Sequence, residues 1–97
     1  MDESAVRERA DAHGQAVAAG DLNRAGGDLT KAAMAEAGSV MKALPRPVTG
    51  AEIESVESTG EGYVVLIRYS GTDSEVKVRS RWVDEAGTPK IAELSLA

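Results

Sequence analysis

The sequence predicts one α+β domain over residues 1–97, with three N-terminal helices packed on one face of a four-stranded antiparallel sheet. Three observations lead there. The first 44 residues are Ala-rich and carry apolar side chains at helical spacing. Pro45-Arg46-Pro47 then closes that half, because proline cannot continue a helix and pushes the residue before it to an extended conformation. Beyond the prolines, β-branched residues and Tyr alternate with polar ones between short Gly-containing turns, which join antiparallel neighbours in a meander.

The elements follow in order. Residues 3–19 form the first helix, with Val6, Ala10, His13 and Val17 on one stripe and Arg7, Glu8 and Asp11 off it. Gly20 stops it and Asp21 caps a short second helix over residues 22–25. Gly26-Gly27 interrupts, and Asp28 is the expected cap of a third helix that runs to Leu44. Its stripe is Leu29, Ala33, Ala37, Val40 and Leu44, widened by Met34 and Met41 as core fillers.

Four strands are expected over residues 51–58, 63–69, 75–83 and 90–96. The second is apolar on both faces and therefore central, with Tyr63, Val65, Ile67 and Tyr69 pointing one way. The third alternates cleanly. Val76, Val78, Ser80 and Trp82 share one face, and Glu75, Lys77, Arg79 and Arg81 share the other.

Composition narrows the function classes. Of the residues, 42% are hydrophobic and 28% charged, which is ordinary globular usage rather than disorder. Only 3% are aromatic and Phe is absent, so the core is built from small side chains that bury little area each. That favours a homodimer that completes its core across an interface. A net charge of −5 argues against nucleic acid and anionic membranes as partners. No Cys and a single His leave no thiolate chemistry and no His-rich metal site, and no cofactor is expected. The acidic start Met1-Asp2-Glu3-Ser4 has no apolar run, which argues against a signal peptide or membrane helix and makes the cytoplasm the expected location.

Two stretches then resemble one superfamily. Ala18-Ala19-Gly20-Asp21-Leu22 is similar to the joint between the first two helices of the nuclear transport factor 2-like domains, which include polyketide cyclases and ketosteroid isomerases. Arg79-Ser80-Arg81-Trp82-Val83, through Gly87 to Lys90-Ile91, is similar to their closing hairpin. The resemblance implies a cone-like fold, with the helices on a curved sheet and an apolar pocket between them. The chain departs from the pattern in its shortness and in Pro89, which stands where relatives often place an aromatic.

Candidate site residues come from both sources. His13 lies on the apolar stripe of the first helix, where a buried imidazole is a candidate general base. Against this stands a packed helix-face His, since no orienting partner is evident from the sequence. Members of that superfamily that act as isomerases or cyclases need a base and an oxyanion donor. Glu93 is then a second candidate base, weighed against an ion pair with Arg79 or Arg81. Tyr63 and Tyr69 are candidate hydroxyl donors and pocket residues. Trp82 is a core residue or a ligand wall. The stripe of Lys77, Arg79, Arg81 and Arg68 reads as a solvated face laced with Glu52, Glu54, Glu57 and Glu93 rather than a nucleic-acid site, because no aromatics are interleaved.

No carboxylate pair with catalytic spacing is visible. The leading expectation is therefore a non-catalytic domain that binds a small apolar molecule or dimerises. An isomerase or cyclase using His13 or Glu93 stays open, as does a protein-interaction module.

Overall fold

Asp2 starts the first helix. A computed structural model describes residues 1–97, and in it the Asp2 carboxylate accepts from the Ala5 N–H at 2.8 Å, satisfying one of the donors that a helix leaves free at its start. This helix, α1, spans Glu3–Ala18 and ends before Gly20, whose φ of 77° is the left-handed turn that releases the chain. Asp21 caps α2 (Leu22–Gly26) through the Arg24 N–H. α3 (Lys31–Ala43) is capped by Thr30, which accepts from the Ala33 N–H, and not by Asp28 as the sequence predicts. It ends at Leu44, extended ahead of Pro45.

The strands are β1 (Gly50–Thr59), β2 (Gly62–Ser70), β3 (Glu75–Glu85) and β4 (Thr88–Leu96), ordered β1-β2-β3-β4 with every pair antiparallel. Three helices followed by a four-stranded antiparallel meander is the expected α+β architecture. α1 packs on β1 and β2, and α3 packs on β4. Gly14 sets the closeness of α1, because a Cβ there would sit 3.1 Å from the Ala51 Cβ. No helix is long and apolar enough to cross a membrane.

The pleat divides the sheet. Val65, Ile67, Tyr69, Val78, Ser80 and Trp82 face the helices and are buried. The outer face carries ion pairs: Arg68 with Glu52 and Glu54, Lys77 with Glu54, and Arg81 with Glu61 and Glu93. Two register shifts matter. One lies in β1 between Ile53 and Ser55, and the other opposes Trp82 to Ile91 and Arg81 to Glu93, leaving Ala92 unpaired.

The free edge of β4 is covered in part by residues 28–30. Leu29 makes a parallel bridge with Ile91, the Ile91 N–H donates to the Asp28 carbonyl at 2.7 Å, and the Thr30 N–H donates to the Ile91 carbonyl at 2.9 Å. This clip protects an edge that would otherwise offer unpaired backbone groups.

Candidate functional site

The clip also aims a side chain. With its carbonyl bonded to β4, Asp28 projects inward and is buried to 5% exposure. One carboxylate oxygen lies 3.1 Å from His13 Nδ1, and the other accepts from Arg9 at 3.1 Å. Burying a carboxylate is costly unless it is paired and hydrogen-bonded, and here both oxygens have partners. A carboxylate oxygen accepts, so His13 Nδ1 donates, and in the neutral imidazole Nε2 carries the lone pair. Asp28 is thus the orienting partner that His13 lacks when the sequence is read alone.

His13 is further held by Trp82, whose ring meets it edge-on at 85° with centroids 6.1 Å apart. Trp82 is completely buried. Its Nε1–H donates to Ser80 Oγ at 3.0 Å, and Ser80 donates in turn to the Val65 carbonyl at 3.0 Å. Every polar group of this small network is satisfied, so it fixes the floor on which His13 rests. Trp82 therefore supports the site from beneath.

Above this floor lies a cavity of about 150 Å³ between the three helices and the sheet. α1 contributes His13 and Val17, α2 contributes Leu22 and Ala25, and α3 contributes Met34, Ala37, Val40 and Met41. Leu29 and Leu44 join from the segments that flank α3, and Tyr69, Val78 and Leu94 rise from the sheet. Only two of these side chains carry an N–H or O–H group, His13 and Tyr69. The Tyr69 hydroxyl has no protein partner, and burial alone pushes its phenol well above the usual range, so it is held as a neutral donor. Met34 and Met41, expected as core fillers, are 55% and 39% exposed and form the rim.

The structure thus brings together two of the sequence-derived candidates, His13 and Tyr69. Trp82 and Tyr63 do not line the cavity. Tyr63 is half-buried opposite Trp82 at the far end of β2. Glu93 is corrected: it does not point inward. The unpaired Ala92 breaks the alternation of β4, so that Ile91 and Leu94 both face the helices while Glu93 turns outward, 63% exposed and 2.7 Å from Arg81.

Asp28 is the residue that sequence reasoning missed. The signal was present: Asp28 and Thr30 are both cap-type residues, two positions apart, and only one can cap α3. The other is then free for a different partner.

Comparison of the chain with protein-family models, with curated proteins and with solved structures finds no match.

Proposed function

We infer that this domain binds a small, largely apolar molecule in the cavity between helices and sheet, and that one polar group of the ligand meets Tyr69 and His13. The observation that carries this is the cavity itself: about 150 Å³, apolar on nearly every side, with one hydroxyl donor and one imidazole acceptor. A dry apolar cavity of roughly 150 Å³ takes a ring the size of benzene. The resemblance to the nuclear transport factor 2-like superfamily supports a pocket in this position, as does the α+β layering. On this reading the protein is cytoplasmic. It is also a homodimer through the outer sheet face, where Val64 and Leu66 lie partly buried among the ion pairs and where Arg79 and Glu57 lack intramolecular partners; sedimentation velocity tests this.

The test of binding is an NMR titration with cyclohexanone, which matches the cavity in size and offers one acceptor for Tyr69. Methyl resonances of Val17, Leu29 and Val78 should shift together and saturate. Unchanged methyl spectra at high ketone concentration would remove the reading.

A catalytic reading is favoured by one specific observation, the hydrogen bond between Asp28 and His13 Nδ1. With Nδ1 donating, Nε2 of the neutral imidazole is free to act as a base. A carbonyl compound in the cavity would lose a proton from its α-carbon to Nε2, the C–H electron pair moving into an enolate whose oxygen accepts from Tyr69. Return of the proton to a different carbon is an isomerisation. In D2O the native protein should then exchange the α-protons of cyclohexanone for deuterium at least tenfold faster than the Asp28→Asn and His13→Gln variants. Equal exchange by all three would leave binding without catalysis.

A further inference from the structure

The cavity has a neighbour. A second hollow of about 470 Å³ lies between the end of α1 and the Leu44–Val48 segment, and Val17, Leu22, Met41 and Leu44 wall both. The two hollows adjoin along these four shared apolar side chains, as the inner and outer parts of a trough. Its inner part holds no Lys or Arg, whereas its outer part is lined by Lys42 and Arg46. Both cations are exposed, and neither has a carboxylate within ion-pair reach.

No Asp or Glu lines either hollow. In a chain with 16 acidic and 11 basic residues, an apolar trough bordered by cations alone runs against the composition. Lys42 has a structural task as well, since a cation in the last turn complements the carbonyl end of α3. Arg46, between two prolines, has no such task, and its planar guanidinium matches a carboxylate in two parallel hydrogen bonds.

We propose that the occupant of this trough is an amphipathic monocarboxylate, with its apolar body in the inner cavity and its carboxylate at the mouth between Lys42 and Arg46. This rests on the small-molecule reading above and adds a carboxylate at the end of the ligand opposite the polar group that meets Tyr69 and His13; octanoate tests the carboxylate end alone. The orientation follows from the lining, since the inner cavity offers no cation and a buried unpaired carboxylate would be expelled. An alkylammonium of the same length is repelled at the mouth.

The experiment is calorimetric titration of the full chain with octanoate, octanol and octylamine, each below its micelle concentration, repeated with the K42Q/R46Q variant. Both positions are exposed, and a thermal melt of the variant checks that its fold is intact. On the native chain octanoate should bind at least tenfold tighter than octanol, octylamine weakest, with the octanoate advantage shrinking as salt rises. In K42Q/R46Q octanoate and octanol should bind alike. Equal affinities on the native chain, or an octanoate advantage that survives in the variant, overturn the proposal. If cyclohexanone still shifts the cavity methyls in that case, the binding reading stands and only the carboxylate falls. If neither octanoate nor cyclohexanone binds, both fall together.

Discussion

Asp28 is the residue on which the site turns, because two groups depend on its side chain and a third on its backbone carbonyl. Arg9 and His13 each take an oxygen, and the backbone is fixed to β4. Asp28→Ala leaves a buried imidazole donor without its acceptor, and it should cost about 1–3 kcal/mol in urea denaturation. Asp28→Asn keeps the shape and should cost less. Its amide oxygen can still accept from Nδ1, while its NH2 group set against Arg9 would favour a flipped side chain and the other His13 tautomer, which nitrogen-detected NMR distinguishes. Tyr69 behaves differently. Its hydroxyl has no protein partner, so Tyr69→Phe should change stability by less than about 1 kcal/mol.

The pH dependence of Tyr69 follows from the direction of its shift. The unfolded phenol ionises near about 10, and burial holds the folded one higher. Above that unfolded value the unfolded chain has lost a proton that the folded chain keeps, so stability falls as pH rises from there towards the folded pKa. An alkaline series of melts should show this decline in the native chain, and it should be smaller in Tyr69→Phe. An identical decline in both would mean that Tyr69 is not the group responsible.

At the scale of elements, the β3–β4 hairpin shows how local rules and global demands divide the work. Its turn is Ala86-Gly87 with φ of 54° and 86°, the left-handed pair that a two-residue hairpin needs. Gly87 meets this freely and also donates its N–H to Asp84. Ala86 does not, since a Cβ in the left-handed region costs about 1–2 kcal/mol. Ala86→Asn should therefore stabilise the protein by about 0.5–1 kcal/mol, raising the urea midpoint without changing the slope; a lower midpoint would refute the assignment of strain.

Turns and alternation of this kind are legible in a sequence because they are local, and all seven elements could be read from them. The bulge at Ala92 was not legible. It is set by the pairing of Trp82 with Ile91, a contact made across the sheet, and it is this bulge that turned Glu93 away from the core. The clip of residues 28–30 on β4 is likewise a contact between segments about sixty residues apart, so the partner of His13 was hidden while His13 itself stood out on its helical stripe.

On the scale of the whole molecule, only 19 of 97 residues are buried, and apart from Trp82, Tyr69 and a few Ile and Leu the core is Ala and Val. A small chain with so little buried area belongs at the low end of the usual 5–15 kcal/mol range. It nevertheless leaves about 150 Å³ between helices and sheet unfilled. Sealed, a void of that size would cost roughly 3–4 kcal/mol at about 24 cal/mol per Å³, and the opening at the Met34–Met41 rim lowers that figure. A void kept in a marginal core at the expense of stability is the pattern that the proposed binding reading requires.

The claim can be tested by filling it. Ala37 lies on the α3 wall of the cavity, and Ala37→Leu adds three carbons there with only a small loss of helix propensity. If the space is a ligand site, the substitution should raise stability by about 1–2 kcal/mol in urea denaturation and abolish the methyl shifts caused by cyclohexanone. A fall in stability would mean that the cavity is already closed by the rim methionines, whose flexible side chains would then have to be displaced, and that the opening at the Met34–Met41 rim is not held in readiness for a ligand.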